Sequence, residues 1–134
     1  MRDGVQNMAK LKMKKFFAAI ASLTILLLFA AGASAWEAQG AIHGTDIEYS
    51  MLELSKNGVR VRLTNTYETG VKLSLRLTFY DRTGNTIGYS LFGLREIPGD
   101  AYVDIGGNYL NGNWRTCRDA ARIEWQRMTY EPLD

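Results

Sequence analysis

Apolar and polar residues alternate along most of the chain after residue 35, which is the pattern of half-buried β-strands. The longest run, VKLSLRLTFY, places Val71, Leu73, Leu75, Leu77 and Phe79 on one side and Lys72, Ser74, Arg76, Thr78 and Tyr80 on the other. No segment after residue 35 has a clear helical period of 3.6 residues. The pattern therefore predicts an all-β protein.

Turn residues divide this pattern into strands. Asn57 and Gly58 suit a tight hairpin because both tolerate positive φ, and residues 68–70, 81–85 and 98–100 also have turn composition. The apolar parity changes between Met51 and Leu52, which predicts a β-bulge there. The predicted strands are residues 37–42, 47–55, 58–67, 71–80, 86–92, 100–105 and 121–129.

About seven short strands predict one domain, an antiparallel two-sheet β-sandwich of immunoglobulin-like kind, over residues 36–134. Part of this region resembles bacterial FxLYD-type domains and related exported immunoglobulin-like sandwiches, over residues 59–105. The matching residues are Phe79, Tyr80, Asp81, Gly84, Asn85, Pro98 and Gly99, within LRLTFYDRTGNTIG and LREIPGD. The resemblance implies the fold and an envelope location, and it brings no catalytic residues.

Residues 1–35 have the composition of a leader with a helical signal peptide. A basic segment (Lys10, Lys12, Lys14 and Lys15) precedes an uncharged run, and Ala33 and Ala35 supply small side chains before a cut at Trp36. The true start is either Met1 or Met13. An uncleaved membrane anchor is the alternative, because residues 16–35 carry no charge over a length that can span a bilayer. No cysteine lies at the cut, which argues against a lipoprotein.

The basic charge of the whole chain comes from this leader. The chain has 16 basic and 14 acidic residues; residues 1–35 hold five basic and one acidic, so residues 36–134 carry 11 and 13, a net charge of −2. A clustered positive surface for nucleic acid is therefore not expected. Because Cys117 is the only cysteine, no disulfide within the chain is possible after export.

The sequence carries no recognisable catalytic, cofactor or metal motif, and none of these is predicted. His43 is the only histidine and lies beside a glycine, as turn residues do. Cys117 lies between Arg115 and Arg118, whose charges favour a thiolate, so a thiol-dependent enzyme is a remote alternative. A buried cysteine acting as a small apolar side chain is the simpler interpretation.

The connection GGNYLNGNWRTC, residues 106–117, interrupts the alternation and is the candidate ligand-binding segment. It combines the aromatic rings of Tyr109 and Trp114 with the amides of Asn111 and Asn113. Rings offer a stacking surface and amides offer directed hydrogen bonds, which suits sugars and peptides. Alternatively, the two rings fold back and plug one end of the sandwich.

These features together predict a non-catalytic exported protein of the periplasm or the extracellular space, or a membrane-anchored one if the leader is retained. Its expected partner is another envelope protein, contacted through a sheet edge or residues 106–116, and the protein is expected to be a monomer. A small-ligand module for a glycan or a peptide is the alternative.

Overall fold

The computed structural model describes residues 36–133. Within this range the chain forms eight strands and one short helix, α1 (Trp114–Arg118). The strands are β1 (Gln39–Ala41), β2 (Ile47–Ser55), β3 (Gly58–Asn65), β4 (Gly70–Tyr80), β5 (Thr86–Ile97), β6 (Ala101–Asn108), β7 (Asn111–Gly112) and β8 (Arg122–Leu133).

The strands form two antiparallel sheets of four. The first sheet has the order β1-β2-β3-β6 and the second has the order β7-β5-β4-β8. The prediction of an all-β protein with two antiparallel sheets is confirmed. The predicted helical signal peptide lies outside the described residues.

The hydrophobic core lies between the two sheets and contains the side chains that the alternation points inward. Every member of the predicted inward row of β4, from Val71 to Phe79, is at most 3% exposed. The predicted bulge is confirmed as well, because the β2–β3 register shifts between Met51 and Glu53. A continuous apolar layer over several strands is the main source of stability for such a sandwich.

The structure corrects several strand bounds and adds two elements. Strand β5 runs to Ile97 and β8 to Leu133, although the predicted strands stop at residues 92 and 129. Both extensions pair with β4, so they follow the length of the central strand. Strand β7 and helix α1 were not predicted, because two and five residues are too few to show a period.

The N-terminal end of the described chain packs against the sandwich. Trp36 is buried, and its indole N–H donates to the carbonyl oxygens of Cys117 and Arg118 at 3.2 and 3.1 Å. The same ring meets Phe79 edge-on, with 5.9 Å between the ring centroids. Residue 36 is therefore a core residue. Within residues 36–133, no helix has the length and apolar character required to cross a membrane.

Candidate functional site

The segment from β6 to α1 and the β2–β3 turn lie together at one end of the sandwich. Their backbones touch at Gly58, where an added Cβ would lie 2.1 Å from the carbonyl oxygen of Asn108. Gly58 also has a φ of 97°, which other residues rarely adopt. A glycine at this position therefore allows both the hairpin turn and the close contact with the segment.

Tyr109 has an exposed side chain on an anchored backbone. The side chain is 78% exposed, the highest value among the large hydrophobic residues of the described chain. The carbonyl oxygen of Tyr109 accepts from Ser90 Oγ at 2.7 Å, and the amide of Asn108 donates to Ser90 Oγ and to the Leu91 carbonyl at 2.5 and 2.9 Å. The next residue, Leu110, is buried in the core. The ring is therefore presented to solvent from a fixed position.

Trp114 begins helix α1 and is only partly exposed. Asn113 caps the helix, since its Oδ1 accepts from the backbone N–H groups of Arg115 and Thr116 at 2.9 and 3.1 Å. The Arg115 guanidinium carbon lies 5.0 Å from the centroid of the Trp114 ring. Trp114 also packs against the core. One side of its ring thus supports the fold while another borders the surface.

A cleft of about 210 Å³ separates this segment from the hairpin turn. Its lining residues are Ser55, Lys56, Asn57, Gly58, Gly107, Tyr109, Leu110, Gly112 and Trp114. Two aromatic rings, an amide and an ammonium group suit a partner with apolar and polar groups close together. The volume is smaller than the roughly 300 Å³ or more of typical small-molecule pockets, so a side chain or a single sugar ring is the size that fits.

The structure brings together some of the predicted ligand residues and gives structural contacts to the others. Tyr109 and Trp114 line the same cleft, but Asn111 donates its amide N–H to the Tyr89 hydroxyl at 2.9 Å, and Asn113 caps the helix. Residues of the hairpin turn were missed, namely Lys56 and Asn57. They are about 50 positions from Tyr109 in sequence, so only the folded sheet could reveal the contact.

Cys117 is fully buried beneath this segment. Its Sγ faces Gly88 and Gly112, where added Cβ atoms would lie 2.4 and 3.6 Å away. Burial raises the pKa of the thiol to about 11. The neutral, shielded thiol favours the interpretation of Cys117 as an apolar core residue over the nucleophile hypothesis.

Other polar groups at this end serve the turns. The Asp81 carboxylate accepts from the Thr83 hydroxyl at 2.7 Å and from the backbone N–H groups of Asn85 and Thr83, both at 2.9 Å, and these bonds lower its pKa. An open depression of about 360 Å³ beside it is lined by Asp81, Arg82, Ile87, Arg115, Thr116, Asp119 and Ala120. His43 is exposed in the β1–β2 turn, at the opposite end of the sandwich. Residues 36–133 contain no group of three or more potential metal ligands.

Comparisons with protein-family models, with curated proteins and with solved structures find no match for this chain. A function therefore has to be inferred from the geometry of the chain itself.

Proposed function

We propose that this protein is a non-catalytic exported module that binds another envelope protein through the end surface formed by Tyr109, Trp114, Lys56 and Asn57. The exposed Tyr109 ring on its anchored backbone is the observation that carries the proposal. A large aromatic side chain held in place loses little conformational entropy on binding, which is why such residues dominate interface energetics. Within residues 36–133, no ring or guanidinium stacks on Tyr109, in contrast to the paired aromatic rings of the core.

A small-ligand module for a glycan or a peptide is the second candidate. It is supported by the cleft itself, which Tyr109, Trp114 and Asn57 line together. A sugar ring stacked on Tyr109 would use the same surface. The small volume of the cleft ranks this candidate below a protein partner, which would add contacts around the rim.

The immunoglobulin-like kind of sandwich belongs to the same proposal. If β2, β3 and β6 are strands A, B and E, and β5, β4 and β8 are strands C′, C and F, the pairs A–B, B–E, C′–C and C–F match those of immunoglobulin domains. Strands D and G have no counterpart within residues 36–133, and β1 and β7 are additional edge strands. This order supports the resemblance to FxLYD-type domains seen in residues 59–105.

Capture from an envelope extract of the native host tests the proposed partner. The wild-type chain is expected to retain a protein that Tyr109→Ala retains at least about tenfold less, a loss typical of an interface hot spot. Tyr67→Ala is the matched control, since Tyr67 is also exposed but lies at the opposite end of the sandwich. Equal capture by the two variants would refute the site.

Titration with soluble glycans separates the second candidate. Trp114 borders the cleft, so a bound sugar is expected to change tryptophan fluorescence in the wild type and much less in Tyr109→Ala. Such a change without capture of any protein would favour the small-ligand module.

Export is the part of the proposal that rests on the leader. The exported form is expected to consist of the domain of residues 36–134 and to begin WEAQGAIHG, with Trp36 as its first residue. Intact mass of the protein from its native host measures this directly. Retention of residues 16–31 would favour a membrane anchor.

A further inference from the structure

Three arginines stack on tyrosine rings on the outer faces of the sheets. The guanidinium carbon lies 4.2 Å from the ring centroid for Arg62 over Tyr102, 4.3 Å for Arg76 over Tyr89, and 3.8 Å for Arg122 over Tyr80. Stacking of this kind holds the planar guanidinium in a defined orientation.

Two of these arginines also bind a carboxylate of the same chain. Arg62 binds Asp104 through two N–H···O bonds of 2.7 and 3.1 Å. The Arg122 side chain lies 3.5 Å from Oε2 of Glu124. Each of the two therefore completes a unit of tyrosine, arginine and carboxylate.

Arg76 has the tyrosine but not the carboxylate. It is half-buried, and its Nε donates to Thr78 Oγ1 at 3.2 Å, so the side chain is held from two directions. No carboxylate of residues 36–133 forms an ion pair with it. Glu124 lies opposite Thr78, two residues along β4, and already accepts from Gln126 Nε2 at 2.8 Å and pairs with Arg122.

The residues around Arg76 indicate which kind of group could bind there. Its neighbours across the sheet are Leu91 and Gln126, which are neutral, and Leu91 is 50% exposed. The Tyr89 hydroxyl accepts from Asn111, which leaves its own proton available to a further acceptor. The site thus offers two terminal guanidinium nitrogens, a hydroxyl donor and an exposed leucine.

We infer that Arg76, Tyr89 and Leu91 form a second binding site, which takes an aspartate or glutamate of a partner protein together with an adjacent apolar side chain. The carboxylate completes the third unit by accepting two N–H bonds from one guanidinium, as Asp104 does in the first. At Arg76 the donors are the two terminal nitrogens, because Nε already donates to Thr78. Because the rings of Tyr89 and Tyr80 on this sheet each already carry a guanidinium, the site is poorly suited to stacking a sugar ring. The inference rests on the proposed function only in taking the partner to be a protein.

An array of immobilised octapeptides tests the site. Each peptide carries a central Glu or Asp beside Leu or Val and is paired with its Gln or Asn counterpart, and the whole chain is the soluble binder. We expect the best acidic peptides to be retained at least about tenfold more than their amide counterparts by the wild type, and this preference to disappear in Arg76→Gln. Arg62→Gln is the matched control and keeps the preference, since the carboxylate bound to Arg62 belongs to the same chain.

The inference would be overturned if the wild type retained acidic and amide peptides equally, or if Arg76→Gln kept the full preference for acidic peptides. It would also be overturned if the chain bound polygalacturonate or inorganic phosphate but no acidic peptide. If Arg76→Gln melts below the wild type, Arg76→Lys replaces it; lysine keeps the charge without the paired donors and is expected to lose most of the preference. Tyr109→Ala is expected to bind the array as the wild type does. Failure of the capture experiment and failure of this one are thereby separate outcomes.

Discussion

Strand β4 and the segment between Gly106 and Ala120 are held in place by different means. Strand β4 pairs along nearly its whole length with β5 on one side and β8 on the other, and its inward side chains share one core. The segment instead depends on individual contacts, such as the Asn113 cap, the Trp36 indole bonds and the fit of Cys117 against two glycines. Many equivalent contacts therefore hold β4, so the loss of one is tolerated. The segment that presents Tyr109 depends on a few individual contacts, each of which matters.

The largest expected effect is a charge placed in the core of β4. Leu75→Asp buries an unpaired carboxylate where the native side chain is 0% exposed, and should cost several kcal/mol, enough to unfold a marginal domain. Ser74→Asp, on the outer face of the same strand, should cost about 0.5 kcal/mol or less. Chemical denaturation of both variants measures the difference. Similar midpoints would contradict the assignment of the two faces.

A smaller effect is expected where the segment meets β5. Gly88→Ala places a Cβ 2.4 Å from Cys117 Sγ and should cost about 1–3 kcal/mol, as overpacking does. Gly93→Ala is the control on the same strand, since no atom lies within 4 Å of its added Cβ. Adding Cys117→Ala should recover part of the loss, which a double-mutant cycle measures. Additive effects would mean that the thiol and Gly88 do not interact.

Between pH 8 and 10 the thiol gives a pH dependence of the unfolding free energy of about 1–2 kcal/mol. Its pKa is raised to about 11 in the folded chain, so the folded state retains the proton while the unfolded thiol ionises near pH 8.5 to 9. Stability is therefore complete below that range and is lost as pH rises toward 11. Tyr49, with a pKa raised to about 12, adds its own loss at higher pH.

Unfolding curves between pH 8 and 10 measure this effect, with Cys117→Ala as the variant that should lose the slope. A thiol reagent should label the native protein slowly and the unfolded protein fast, and the protein should run as a monomer without reductant. Fast labelling of the folded chain would contradict the shielded thiol.

The smallest effect concerns the surface ion pair of Arg62 and Asp104. Hydrogen bonds from Arg62 lower the pKa of Asp104, so its contribution is present above the ordinary aspartate range near pH 4 and is lost as pH falls through the lowered pKa. Arg62→Gln should cost about 1 kcal/mol or less at pH 7 and flatten the acid limb. Arg76→Gln should leave that limb unchanged, because Arg76 has no carboxylate partner in the described chain. An acid limb that Arg62→Gln does not alter would contradict the role of the pair.

The strands of the two sheets were predicted well from the sequence, but the candidate site was predicted only in part, because the alternation of apolar and polar residues reports burial and not contacts between distant segments. Alternation reports burial averaged over a strand, so β2 and β4 were predicted almost to the residue, including the bulge after Met51. Helix α1 and strand β7 are stabilised by a cap and by glycine contacts with β5, which leave no period in the sequence. Tyr109 was chosen as a candidate because it lies in the segment that interrupts the alternation. Lys56 and Arg76 were not assigned to a site, because their neighbours come from distant strands.

The buried Trp36 has a mechanical consequence. Its ring lies against Phe79, near one end of β4, whereas Leu133 pairs with Gly70 at the other end. Strand β4 has eleven residues, and the ten steps from Gly70 to Tyr80 span roughly 33 Å at the rise of a β-strand. The two ends of the described chain therefore leave the sandwich far apart. A pull applied between them would act along the strands and load the β4–β8 hydrogen bonds together in shear. Under such a force the backbone hydrogen bonds between β4 and β8 share the load. Nearly all of them would have to break together before β8 could separate from β4.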